Sequence, residues 1–177
     1  GTRMKSKFPK VVHEAAGRPL IEHVLRAVAP LKPSKTVVVV GHGAEVVKQR
    51  LANYDVTFVL QEKQLGTGHA LMQTESVLND LQGDVLVLNG DGPLLKTETL
   101  QALLNEQLGK PGMTLLTCKV SDPTGLGRII RDAKGSIENI IEEKDTTPAQ
   151  KQINEVNPGF YMFDKTVFEK AKNLGNQ

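Results

Sequence analysis

Residues 84–95 read D-V-L-V-L-N-G-D-G-P-L-L, four apolar residues running into a turn that carries a carboxylate. An unbroken apolar run of this length predicts a strand covered on both faces, as in a parallel sheet, rather than the alternation of a half-solvated strand. Asn89-Gly90-Asp91-Gly92-Pro93 stops it, because the glycines free the backbone and Pro93 has no ladder donor. Asp91 is therefore expected at the carboxyl end of a central strand, where open α/β sheets keep their ligand crevice. A carboxylate there suits a hard cation such as Mg²⁺, which takes oxygen ligands and keeps waters for phosphates. It equally suits a turn in which Asp91 caps its own backbone.

The sequence on either side alternates between strand and helix patterns. Pro19 opens a helix over 19–29 with Leu20, Ile21, Val24, Leu25 and Val28 at helical spacing. A strand at 36–40, a helix at 44–53, a strand at 56–60 and a helix at 70–81 follow. Thr97 is the expected N-cap of a helix carrying Leu100, Leu103, Leu104 and Leu108. This alternation predicts a doubly wound α/β sheet. Strands at 113–120, 128–131, 137–143 and 155–163 then succeed one another with short turns, a β-meander added to the edge of the sheet. Thr147-Pro148-Ala149-Gln150 fits a capping box, and Asp164 is the expected N-cap of a last helix reaching about residue 174. With 177 residues, one domain is expected.

A net charge of +2, with basic residues scattered, gives no nucleic-acid or membrane footprint. No run approaches transmembrane length and no signal peptide is visible, so the expectation is a soluble, cytoplasmic protein. The single cysteine, Cys118, can make no internal disulfide and reads as a small buried hydrophobe of an apolar run.

Three loops invite ligand readings. Residues 1–10, G-T-R-M-K-S-K-F-P-K, either bind phosphate through backbone N–H groups and cations or form a solvated tail. Gly41-His42-Gly43-Ala44-Glu45-Val46 sits between a strand and a helix as a dinucleotide fingerprint should, but Val46 stands where its third glycine belongs, so NAD is not expected. Gln61-Glu62-Lys63-Gln64-Leu65-Gly66-Thr67-Gly68-His69 opens onto a helix; its glycines allow close backbone approach, and the Gln61 amide matches a nucleobase edge. An ordinary loop capped by Thr67 is the alternative. His13, His23, His42 and His69 lack partners at metal-ligand spacing and read as packing or hydrogen-bonding residues. The glycine-rich loop at 122–127 offers backbone to a substrate.

Several ordered segments carry a resemblance: G-T-R-M at Gly1, P-K at Pro9-Lys10, Q-x2-Q-L-G-T-G-H-A from Gln61, G-D-x-P-L from Gly90, D-P-T-G-x-G-R-I from Asp122, E-x-K-D from Glu142 and E-V-N-x-G from Glu155. Together they resemble the uridyltransferase domain of bacterial N-acetylglucosamine-1-phosphate uridyltransferases. The resemblance implies a Rossmann-like nucleotidyltransferase fold: a mixed, mostly parallel sheet with helices on both faces and the added β-meander. It implies UTP and N-acetylglucosamine 1-phosphate as substrates, UDP-N-acetylglucosamine and pyrophosphate as products, and Mg²⁺ as cofactor. By motif, Arg3 and Lys10 would contact the triphosphate and stabilise charge, and Gln61, Gly66 and Thr67 would read the uracil. Gly127, Glu142 and Asn157 would hold the sugar, and Asp91 the metal.

The sequence also departs from the family. There a strand and an L-x-A-G-x-G loop precede G-T-R-M, and a segment with a second metal ligand lies downstream, so the domain at 1–177 is expected to be incomplete at both ends. Pro158 stands where Thr is usual, and Asn89 where an aromatic or small residue is common. Full-length family members carry a β-helix acetyltransferase domain, through which a homotrimer is expected. Two other readings remain: the same chemistry on another sugar 1-phosphate or nucleotide, or a non-catalytic nucleotide-binding fragment.

Overall fold

The computed structural model describes residues 6–78 and 80–172. Arg3 lies outside them. The chain enters through a 3-10 turn at Lys10–Val12 and a hairpin of β1 (Glu14–Ala15) and β2 (Arg18–Pro19). Ala16 and Gly17, both at positive φ (50° and 75°), make its two-residue turn, the geometry that matches strand twist. Then come α1 (Leu20–Val28), β3 (Val37–Val40), α2 (Ala44–Arg50), β4 (Thr57–Leu60), α3 (Thr67–Met72), α4 (Glu75–Leu78) and β5 (Val85–Val87). The second half holds α5 (Thr97–Gln107), β6 (Met113–Leu115), β7 (Cys118–Lys119), β8 (Gly127–Arg131), β9 (Ile137–Ile141), α6 (Pro148–Lys151), β10 (Glu155–Asn157), β11 (Tyr161–Phe163) and α7 (Val167–Lys172).

The α/β alternation holds through the first half. β3 and β4 pair in parallel from Val37↔Thr57 to Val40↔Leu60. Ile21 of α1 and Val47 of α2 bury their apolar stripes with Val38, Val40, Val12 and Leu51 as one core cluster. Leu100 and Leu103 of α5, Met162 of β11 and Phe168 of α7 are buried as well.

Strand pairing differs from expectation in one respect. The other ladders among the described residues are antiparallel: a three-stranded sheet in the order β5-β11-β6 and a four-stranded sheet in the order β7-β10-β8-β9. β5, read as buried between parallel neighbours, pairs antiparallel with β11 and is half-buried. Its other edge faces a cleft of about 980 Å³ lined on the opposite side by β3.

The two long strands read at 113–120 and 155–163 are each broken in two. β6 and β11 lie in one sheet and β7 and β10 in the other, while Leu116 N–H donates to the Phe160 carbonyl (3.0 Å) and Val120 N–H to that of Asn154 (3.0 Å). The chain pair thus crosses from sheet to sheet side by side, bending where Pro158 withdraws a donor and Gly159 takes φ +81°. Cys118 falls beyond the bend, on an edge strand, and is exposed rather than buried. The helix read at 70–81 is likewise two, α3 and α4, parted at Thr74, whose hydroxyl donates back to the Leu71 carbonyl. Thr97 is the first residue of α5 rather than its cap, because its hydroxyl is committed to the Ala27 carbonyl (2.8 Å). The capping box is as read, with Thr147 and Gln150 reciprocally bonded, and Asp164 accepts the Thr166 N–H (2.9 Å) ahead of α7.

Candidate active site

Lys10 and Asp91 lie 81 residues apart in sequence, and Lys10 Nζ donates to Asp91 Oδ2 at 2.7 Å. The glycines around Asp91 explain the meeting. A Cβ on Gly90 would lie 3.2 Å from Val11, and one on Gly92 3.1 Å from the Phe160 ring. The G-D-G turn therefore presses closely on the Lys10–Val12 turn on one side and the β10–β11 connection on the other, and a side chain at either glycine would push its neighbour by a few tenths of an ångström.

Asn89 ties the same turn to the second half of the molecule. The β5–β11 register, Tyr161↔Val87, continues beyond the strands to set Asn89 opposite Gly159. Asn89 Nδ2 donates to the Pro158 carbonyl (3.1 Å), and its amide occupies the space a Gly159 Cβ would need, 2.3 Å away. The two departures from the family pattern, Asn89 and Pro158, thus touch each other.

Gly127 of β8, Asn157 of β10 and Glu142, the residue just past the end of β9, come together. Asn157 is the ladder partner of Gly127, and Glu142 Oε1 lies 3.6 Å from where a Gly127 Cβ would stand. Asn157 is held by its own loop: Nδ2 donates to the Tyr161 hydroxyl (2.6 Å) and Oδ1 accepts the Gly159 N–H (2.9 Å). Two carboxylates that the residue-type reading had not used brace this part. Glu155 takes Arg131 Nε (2.9 Å), Arg131 Nη2 (2.6 Å) and the Thr117 hydroxyl (2.7 Å), joining β10 to β8 and to the β6–β7 connection. Those bonds, the Arg131 guanidinium first, hold the Glu155 carboxyl at about 2, far below its ordinary 4.5. Asp122, in the glycine-rich loop, accepts from Thr124 and is likewise held below its usual range.

Gln61, Gly66 and Thr67 line the mouth of the cleft between β3 and β5, with Asn89 and Gly90. Gln61 Nε2 donates to the Gly66 carbonyl (3.1 Å) and lies 2.9 Å from His69 Nδ1, while Gln73 reaches the other ring nitrogen (3.2 Å). His69 is thus a hydrogen-bonding residue, as read; so is His23, a ring nitrogen of which lies 2.8 Å from the Ala15 carbonyl. Gly66 needs to be glycine, at φ +98°. Gly41 and Gly43 have packing reasons of their own: a Cβ would meet Gln64 at 2.7 Å and Pro9 at 2.5 Å. The structure therefore divides the candidates into Lys10 with Asp91, the Gln61 loop at the cleft mouth, and the Gly127–Glu142–Asn157 group, with Asn89 linking the first to the last. Asn89 was visible in the sequence only as an unusual residue, because its partner depends on strand register.

As a cation site, the described residues offer no group of three or more His, Cys, Asp or Glu side chains. Asp91 alone suits a hard cation that takes its other ligands from water and phosphate. No described helix is long and apolar enough to cross a membrane.

The family model for nucleotidyl transferases matches residues 2–177. The chain belongs to the nucleotidyl transferase family. Among curated relatives, the "Bifunctional protein GlmU" of Thermus thermophilus is 47% identical over 177 residues, 100% of this chain and 39% of the relative. The protein of the same name from Halalkalibacterium halodurans is 47% identical over 180 residues, 99% of this chain and 39% of the relative. That from Synechococcus is 50% identical over 164 residues, covering 92% and 26%. The chain thus spans well under half the length of these relatives. A Bacillus anthracis structure described as a glucose-1-phosphate thymidylyltransferase superposes with TM-score 0.77 at 20% identity, covering 97% of this chain and 69% of that one. At that identity the likeness establishes the Rossmann-like α/β fold alone.

Proposed function

We propose that this nucleotidyl transferase moves a uridylyl group from UTP to N-acetylglucosamine 1-phosphate with the help of Mg²⁺. A phosphate oxygen of the sugar phosphate attacks the α-phosphorus of UTP, the bond to the bridging oxygen breaks, and pyrophosphate leaves with that electron pair. Such a transfer asks for alignment and neutralisation of repelling anions rather than covalent help. The contact of Lys10 with Asp91 carries the reading, because it puts a half-exposed cationic side chain and a carboxylate suited to a metal ion together beyond the end of β5. Lys10, with Arg3, neutralises the triphosphate. Gln61, Gly66 and Thr67 hold the uracil end at the cleft mouth, and Gly127, Glu142 and Asn157 hold the sugar. Asp91 would hold Mg²⁺, which supplies Lewis-acid polarisation of a phosphoryl oxygen. The relatives named GlmU support this choice of substrates.

The test is pyrophosphate release from UTP and N-acetylglucosamine 1-phosphate, with and without Mg²⁺, alongside a panel of other sugar 1-phosphates and nucleotides. Release that needs both substrates and the cation is expected; intact folding with nucleotide binding but no release would favour a non-catalytic binding module. Transfer to another sugar is the second reading, favoured by the Asn89–Pro158 contact beside Asn157.

Further proposals follow from the family resemblance. The cleft between β3 and β5 receives a strand that precedes G-T-R-M, since both strands turn toward it edges that are unpaired among the described residues. A downstream segment adds a second metal ligand. The whole protein works in the cytoplasm, and a further acetyltransferase domain assembles it as a homotrimer; gel filtration of the whole protein tests the trimer.

A further inference from the structure

Arg128 carries a buried charge, with 2% of its side chain exposed. Its Nη2 lies 2.7 Å from Glu143 Oε2, and its Nη1 donates to the Leu126 carbonyl. The ion pair is close but poorly directed, since neither Glu143 Oε2 nor Arg128 Nε has a hydrogen-bond partner among the described residues. Glu143 keeps a third of its side chain exposed, so the attraction is partly screened while the cost of desolvating the buried guanidinium remains, and such a pair is a weak source of stability that apolar residues of similar volume can replace. Its position is what distinguishes it. Arg128 directly follows Gly127, Glu143 directly follows Glu142, and those two neighbours face each other across the β8–β9 ladder, where Arg128 pairs with Ile141.

We infer that Arg128 and Glu143 are positioning residues that clamp Gly127 and Glu142 into a sugar-binding geometry. The inference rests on the proposed sugar role of those neighbours. The Leu126 carbonyl and the Gly127 N–H belong to one planar trans peptide and point in opposite directions, so a guanidinium fixed on the carbonyl also fixes where the N–H points. The same guanidinium, through Glu143, holds the chain where it leaves β9, and with it the start of the Glu142 side chain. One rigid fork therefore sets two groups on facing strands. Lysine offers one compact ammonium with rotatable donors in place of the planar fork and cannot reproduce this two-point geometry. Neither residue touches the Gln61 loop or Lys10, so the nucleotide end is left alone.

The experiment uses Arg128→Lys and the double variant Arg128→Met/Glu143→Leu in the whole protein. It measures melting temperature by circular dichroism and dissociation constants for UTP and UDP-N-acetylglucosamine by calorimetry. The double variant is expected to melt within a few degrees of wild type, yet bind the UDP-sugar about tenfold more weakly, a shift readily resolved on the affinity scale, with UTP affinity within about twofold. Arg128→Lys, which keeps the charge, is expected to shift the same ratio in the same direction. A folded double variant with an unchanged ratio would show a purely structural pair and overturn the inference. If the double variant does not fold, Arg128→Lys decides, and equal weakening of both ligands overturns it. Should wild type prefer a different nucleotide sugar, the assignment of N-acetylglucosamine fails, and the same ratio measured with the preferred one still tests the clamp.

Discussion

Lys10 and Asp91 show how much depends on single side chains. Half of the Lys10 side chain is exposed, as is a third of that of Asp91, so their contact contributes little to stability, and its value is local charge at the site. Replacing Lys10 with Met should lower pyrophosphate release by about 10²–10³-fold, the usual loss for a charge-stabilising donor, with little change in melting temperature; an effect within about twofold would remove Lys10 from the mechanism. Glu155 makes a pH prediction. Its folded-state value of about 2 is below the ordinary 4.5, so its stabilisation is fully present above that ordinary value and fades as pH falls toward the folded one. The melting-temperature gap between wild type and Glu155→Gln should be widest above pH 4.5 and close as pH approaches 2; a gap constant across that window would mean that Glu155 keeps its ordinary value. The sequence exposed Lys10, Asp91, Gly127, Glu142 and Asn157 as candidates by motif. Glu155 was legible only as a motif letter, since its bond to Arg131 joins strands whose register no local pattern states.

Elements tell a similar story. α1 and β3 were readable because α1 carries an apolar stripe at helical spacing and β3 is a run of β-branched residues. The strands at 113–120 and 155–163 were misread as continuous because apolar character persists across a change of sheet, and the bend is imposed by what each half pairs with. Glycines at element ends carry a checkable consequence. Gly43 precedes α2 at φ +73° with Pro9 where a Cβ would stand, 2.5 Å away, whereas Gly135 turns at φ +84° with open space around it. Gly135→Ala should destabilise by the left-handed backbone cost alone, about 1–2 kcal/mol. Gly43→Ala should lose more in urea denaturation and should also weaken turnover by moving the Pro9-Lys10 turn. Equal losses would show that Pro9 yields freely.

At the scale of the whole molecule, the apolar helix stripes and the strand–helix alternation meet in cores that tolerate little loss. Leu100, fully buried in α5, should cost about 2–5 kcal/mol when cut to Ala; a loss under about 1 kcal/mol in the denaturation midpoint would mean the site collapses around the gap. The cleft between β3 and β5 yields the largest-scale prediction. In a polypeptide extended upstream of Gly1, amide hydrogens of both strands should exchange more slowly than in residues 1–177 alone; identical protection would leave the cleft to ligand only. The sequence by itself determined most element types and the α/β class, and it singled out candidates for phosphate, cation and sugar, because periodicity and local chemistry are written within a few neighbouring residues. Only the tertiary structure decided the antiparallel partner of β5, the sheet crossing, the Asn89–Pro158 link and the Arg128–Glu143 pair. Each of those depends on which distant backbone edges meet, and register between distant strands is a property of the packed chain.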